Sequence, residues 1–309
     1  MRFKAGQVLL LIFGLLTIGA PARAHALDIA VVLARGDVIH AQFGSALVTF
    51  AVRSDHRIVK IELVDGKIGA PPEQSFDLVI AAGFAATEAA IARFAGPVLA
   101  TLINTRQLEV LQERHPNAML SAILLDQPLE RHVRLAHAAL GRDIRLAVLL
   151  GPETHMFEDE LASAAKQLGV QLVARPISTS AELLPALDRV LETSDALLTL
   201  PDPVTSSPTT ARAILLSCYR QRRPVFAYSK AYVDAGALAA VYSSPADIGR
   251  DTAEWLSSLN GGATIDALPR PRAPRQFGIA VNRQVARALS LNVPDEASLL
   301  EAVRAGGAP

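Results

Sequence analysis

The feature that most constrains this chain is a regular alternation of short, continuous apolar runs with longer amphipathic stretches. Ile29-Ala30-Val31-Val32-Leu33, Leu78-Val79-Ile80-Ala81-Ala82 and Ala147-Val148-Leu149-Leu150 contain no polar residue. A strand with one solvated face alternates apolar and polar side chains, whereas a strand covered on both faces is apolar throughout. Helix-length segments between such strands supply both the covering layers and the long crossovers that parallel pairing needs.

Strands are expected over Leu27–Leu33, Ile58–Leu63, Asp77–Gly83, Pro97–Leu102 and Met119–Leu125, with helices over Val38–Arg53, Ala86–Phe94 and Pro128–Leu140. The pattern then restarts. Strands are expected over Ile144–Leu150, Val170–Ala174, Asp195–Leu200, Pro224–Tyr228 and Ala237–Tyr242. Helices are expected over Met156–Leu168, Ala181–Glu192, Ser207–Arg220 and Pro245–Leu259. Two successive five-strand series predict an α/β fold of two Rossmann-like lobes with parallel sheets, joined by a hinge. The sequence order divides them near Arg142, into an N-terminal lobe over 25–142 and a C-terminal lobe over 143–268. Residues 269–309 carry Pro269, Pro271 and Pro274 and are expected to cross the surface in extended form. They then offer a strand over Phe277–Asn282 and a helix over Arg283–Leu289, returning toward the hinge or the first lobe.

Residues 1–24 read as a signal peptide. Arg2 and Lys4 precede an apolar run from Val8 to Ala20, and Ala22-Arg23-Ala24 has the small-x-small form of a cleavage site, so the cut is placed after Ala24. The alternative is a retained anchor, but that run is shorter than the ~20 residues needed to cross a bilayer. Cys218 is the only cysteine, so neither a lipid anchor at the cut nor an intramolecular disulfide is expected. No later apolar stretch is long enough to insert the remainder into a membrane. The expectation is an exported protein.

Lysine plus arginine equals aspartate plus glutamate, at 30 each, and removing Arg2, Lys4 and Arg23 with the leader leaves a small negative charge. That balance gives no electrostatic footprint for nucleic acid or anionic lipid. The chain has no Gly-x-Ser-x-Gly elbow, no phosphate-binding Walker loop and no His-Glu-x-x-His pair. Ala34-Arg35-Gly36-Asp37 lacks the glycines that a dinucleotide phosphate requires, so no cofactor is expected. His132 and His137, five apart, point to different helix faces and read as surface or helix-end residues rather than a metal pair.

Open α/β sheets bind ligands beyond the C-terminal ends of their strands. Four turns there carry polar groups: Gly83 with Thr87, Asn104 after the fourth strand, Asp202 with Thr205, and Ser229. Each is also what ordinary turn and N-cap chemistry selects, so capping and ligand contact both remain open for these residues.

The second half carries Arg223-Pro224-Val225-Phe226-Ala227-Tyr228-Ser229, then Val233-Asp234-Ala235-Gly236-Ala237, then Val241-Tyr242-Ser243-Ser244-Pro245 and Asp247-Ile248-Gly249-Arg250. With Asp202-Pro203-Val204 and Phe277-Gly278-Ile279-Ala280-Val281-Asn282, this resembles the ABC transporter substrate-binding proteins of the tryptophan/tyrosine-type periplasmic family. The first lobe departs from it, with Gly36-Asp37-Val38-Ile39-His40 in place of an aromatic-rich opening and Phe84 after the glycine. The resemblance implies a type I periplasmic-binding-protein fold and no catalysis. It also implies a small solute, such as an amino acid or related polar molecule, held between the lobes and delivered to an inner-membrane ABC permease. Thr87 would then meet an anionic end of the solute and Asp202 a cationic end, with Asn104, Thr205 and Ser229 orienting it. A periplasmic sensor presenting its bound state to a membrane receptor or kinase would share the fold.

Overall fold

The computed structural model describes residues 26–53, 56–69, 75–141, 143–259 and 268–306; the leader with its expected cleavage site, and Arg142, lie outside them. The first series is β1 (Asp28–Ala34), α1 (Val38–Phe50), β2 (Arg57–Val64), β3 (Lys67–Ile68), β4 (Leu78–Ala82), α2 (Phe84–Arg93), β5 (Val98–Thr101), α3 (Thr105–Arg114), β6 (Leu120–Ile123) and α4 (Leu129–Leu140). The second is β7 (Arg145–Leu150), α5 (Glu158–Gln167), β8 (Gln171–Pro176), α6 (Ser180–Thr193), β9 (Ala196–Leu198), α7 (Pro208–Arg220), β10 (Val225–Ala227), α8 (Lys230–Asp234) and β11 (Ala239–Tyr242). After it come α9 (Pro245–Ser258), β12 (Gly278–Val281), α10 (Arg283–Ala288) and α11 (Glu296–Arg304).

Two six-stranded sheets result, ordered β3-β2-β1-β4-β5-β6 and β12-β11-β10-β9-β7-β8. Pairing is parallel except at one edge of each, where β3 and β12 run antiparallel to their neighbours. Every residue of β4 is buried, and all of β7 after Arg145, as strands with helices on both faces require. In each sheet the chain starts on an inner strand, steps to one side, then returns to build the other. The switch points lie between β1 and β4 in the first lobe and between β7 and β9 in the second.

The lobes do not follow sequence order, which is where the structure differs from the expected division at Arg142. α4, though it precedes β7, packs on α5, α11 and β9–β11 of the second lobe. α9, though it follows β11, packs on α1 of the first lobe, and its Ile248, Ala253 and Leu256 share a core with Ile29, Phe43 and Leu47. Gly249 makes this contact possible: a Cβ there would sit 2.5 Å from the Phe43 carbonyl oxygen and 3.0 Å from the Leu47 nitrogen. The tail also differs. β12 does not return to the first lobe but closes the second sheet, with Ala240 opposite Ala280, and α11 packs on α4.

The chain therefore passes between lobes three times: between β6 and α4, between β11 and α9, and over 268–277. Side chains tie these crossovers together. Gln127 Nε2 donates to Ser243 Oγ at 2.9 Å, and Ser243 Oγ donates to the Gln276 carbonyl at 2.6 Å. Arg131 donates to Gln127 Oε1 and to the Pro274 carbonyl, both at 2.8 Å, with its guanidinium 4.1 Å from the Phe277 ring centre. Arg272 makes a two-pronged pair with Asp251 at 2.7 and 2.9 Å, while its backbone extends the edge of β6.

Cys218 is fully buried in the second lobe and burial pushes its thiol up to about 12, so it behaves as core. His132 is not at the surface, as the sequence suggested: it is 3% exposed within α4. Burial, and then the Arg131 charge, lower its pKa to about 4. The unfolded chain takes up this proton near pH 6.5 and the native state does not, so stability falls as pH drops from about 6.5 toward 4. The expected loss is on the order of 3 kcal/mol. Urea titrations at pH 7 and pH 4.5 should show a smaller drop for His132→Gln than for the wild type. Equal drops contradict the assignment.

Candidate functional site

β6 runs into one crossover and β11 into another, so the C-terminal edges of both sheets border the hinge and the space between the lobes. The turns after β1, β4 and β5 lie at this edge of the first sheet, and those after β7, β9 and β10 at this edge of the second.

At the first switch point Asp37 caps α1, its Oδ1 accepting from Ile39 N at 2.8 Å and His40 N at 3.1 Å. Those bonds lower its carboxyl pKa. One turn on, the half-buried His40 ring folds back so that Nδ1 accepts the Ala34 amide at 2.8 Å. Across the crevice stands Gly83, with φ 82 and ψ 165, a backbone conformation that is essentially glycine's alone. A side chain there would also meet His40, whose Nε2 and Cε1 lie 3.2 and 3.3 Å from the Cβ position. No side chain caps α2, and no acidic residue lies in its first turn.

Thr87 is not where the sequence reading needs it. It is fully buried, and Oγ1 donates to the Gly83 carbonyl at 2.9 Å, so the hydroxyl serves the helix rather than the crevice. Asn104 is the cap of α3: its side chain accepts from Gln107 N at 2.8 Å, and Gln107 Oε1 accepts from Asn104 N at 3.0 Å. Just before it Leu102 holds φ 55, a left-handed conformation that strains a bulky side chain.

At the second switch point Asp202 is 3% exposed and its carboxylate is already committed. Oδ2 accepts from Glu153 N at 2.9 Å and Thr154 Oγ1 at 3.2 Å, and Oδ1 accepts from Val204 N at 2.8 Å. The carboxylate occupies the space that a side chain at Gly151 would take, which explains that glycine. Asp202 therefore staples the turn after β7 to the turn after β9, and its oxygens do not face a cationic solute group. Thr205, 2% exposed, donates to the Leu200 carbonyl at 3.4 Å, and Ser206 donates to the same oxygen at 3.0 Å. Ser229 caps α8 by accepting from Tyr232 N at 3.3 Å. It also lines a groove of 770 Å³ between α7 and α8, together with Arg212, Leu215, Tyr219, Tyr228 and Tyr232.

The six residues singled out from the sequence thus lie in or just beyond the turns after β4, β5, β9 and β10, and Thr87, Asn104, Asp202, Thr205 and Ser229 each hydrogen-bond within them. The group to which sequence reasoning gave no role is His40, noted only as part of the first-lobe departure. Its signal is its place, in the first turn of the helix that follows the strand flanking the switch point.

Two open α/β lobes joined by three crossovers, each with a switch point in its sheet, define the class of two-lobed, hinged binding proteins. The chain belongs to the ABC transporter substrate binding protein family, whose profile matches residues 126–304. Among solved structures it resembles CD0873, a substrate binding protein with adhesive properties from Clostridium difficile, in its ligand-free open form. The two share 16% identity over 88% of this chain and 98% of that one, with a TM-score of 0.64. An ABC domain from Streptococcus pneumonia in complex with L-Trp gives 15% identity over 90% and 98%, with a TM-score of 0.55. A conserved domain protein from Vibrio cholerae gives 16% identity over 89% and 98%, with a TM-score of 0.54. At these identities the likeness is one of fold. No curated protein matches the chain. Among the described residues no helix is long and apolar enough to cross a membrane.

Proposed function

We propose that the protein captures a small solute between its lobes outside the cytoplasm and delivers it to an inner-membrane ABC permease. In this reading the leader is cleaved after Ala24 and the protein works in the periplasm without catalysis. The observation that carries it is the pair of switch-point crevices bordering one three-stranded hinge, in a chain of the substrate-binding family. Solute that contacts both lobes favours the closed arrangement by the difference in its affinity for the two states. In this reading Gly83 stands at the first-lobe switch point and Ser229 in the turn after β10, while Thr87, Asn104, Asp202 and Thr205 hold the neighbouring turns.

Thermal unfolding against the L-amino acids, small carboxylates, pentoses and hexoses tests this reading. A solute at one hundred times its dissociation constant stabilises the native state by about 2.7 kcal/mol, which raises the melting temperature by roughly 5 °C for a chain of this size. Failure of every compound to shift the transition contradicts the proposal.

A further inference from the structure

His40 occupies a position that the fold otherwise reserves for ligand contact, and its geometry fixes what it can offer there. Nδ1 accepts the Ala34 amide at 2.8 Å, so in the neutral ring the proton resides on Nε2. Nε2 has no hydrogen-bond partner among the described residues. It stands at the first-lobe switch point against the glycine-only backbone of Gly83, 3.2 Å from the position a Cβ would take there. Burial lowers the pKa of His40 against the opposing pull of Asp37, the charged group that acts on it, so the ring is neutral near pH 7. A ring anchored at one nitrogen and open at the other is a fixed N–H donor. Its complement is an oxygen acceptor, best of all a carboxylate, since a bond to a charged acceptor is the stronger kind.

We propose that His40 is a specificity-determining residue of the solute site, donating from Nε2 to a carboxylate oxygen of the bound solute. This rests on the reading of the interlobe space as the solute site and adds the chemical class of the solute. It places the selective contact in the first lobe, before the span that matches the family profile at residues 126–304.

The test is a calorimetric cycle on the purified protein. L-tryptophan, L-phenylalanine, L-leucine and their primary amides are titrated into the wild type, His40→Asn and His40→Gln, with succinate and D-ribose as further probes. Asparagine keeps an acceptor for the Ala34 amide but loses the distal donor; glutamine supplies a donor near the Nε2 position. The melting temperature of each free variant reports on folding separately. The wild type is expected to prefer a carboxylate over its amide, and His40→Asn to lose about tenfold in carboxylate affinity while the acid-to-amide ratio collapses. His40→Gln should stay closer to the wild type. A purely structural role would weaken acid and amide alike and leave the ratio unchanged. An unchanged ratio in His40→Asn overturns the inference and leaves the solute-site reading standing. So does binding confined to ribose. If no probe binds, the solute-site reading fails and takes this inference with it.

Discussion

Asp251→Ala should lower the unfolding free energy by about 3 kcal/mol, the low end of the cost of breaking a buried ion pair, because the abandoned Arg272 can partly reach water. Asp251 is 1% exposed on α9, and its two oxygens take both prongs of Arg272 as well as the Arg275 amide at 2.7 Å. These three bonds fasten the third crossover to a helix that belongs to the first lobe by packing. Arg272 also ties that crossover to β6: its carbonyl accepts from Leu124 N at 2.9 Å and its amide donates to the Ala122 carbonyl at 3.1 Å. Equilibrium urea unfolding measures the loss. A companion Arg272→Met should cost a comparable amount, and the double variant Asp251→Ala/Arg272→Met clearly less than the sum of the two, since it leaves no uncompensated charge. Strict additivity would mean that the pair is not coupled and that the hinge is held by its backbone alone.

Asp202→Ala is expected to cost about 2–4 kcal/mol, because it takes the acceptor from three donors, the buried Thr154 Oγ1 and the part-buried Glu153 N and Val204 N, and opens a void over Gly151. Asp202→Asn should not restore it. Whichever way the amide lies, its NH₂ group faces a donor that the carboxylate accepted. A solute-facing carboxylate would behave differently: truncation would weaken binding and leave the melting temperature of the free protein unchanged. The staple predicts that the free variant melts several degrees lower and that affinity falls with it, because the second lobe's crevice loses its shape. Thermal unfolding with and without a bound solute separates the two outcomes.

The strands were legible because a strand buried on both faces leaves a signature that needs no partner information, and β1, β4 and β7 carry it plainly. α3 was not anticipated. Its sequence, Thr105-Arg106-Gln107-Leu108-Glu109-Val110-Leu111, is mostly polar and buries only Leu108 and Leu111, so its apolar stripe is narrow. α11 buries only Leu299 and Val303 and escaped for the same reason. The exchange of α4 and α9 between lobes was invisible on principle, since an amphipathic helix reads the same whichever sheet it covers. The tail's destination was equally hidden, because β12 could pair with any open edge and the edge of β11 is a tertiary fact.

At the site the reading found the turns but not the roles. Asn104 and Gln107 stand at capping-box spacing, and the cap is what they form. Asp202 announced a carboxylate between prolines, but nothing local shows that Gly151, fifty-one residues earlier, leaves the hole it fills. His40 reads as a histidine early in a helix. Its meaning depends on the Ala34 amide six residues behind it and on Gly83, and the second of these contacts arises only once β1 and β4 pair.

The central claim is that the two lobes close on a solute held between them. Small-angle X-ray scattering of the protein, free and saturated with a solute that raises its melting temperature, addresses it directly. The account predicts a smaller radius of gyration and a shorter maximum dimension in the saturated sample. An unchanged scattering profile at a concentration where calorimetry proves full occupancy would contradict it.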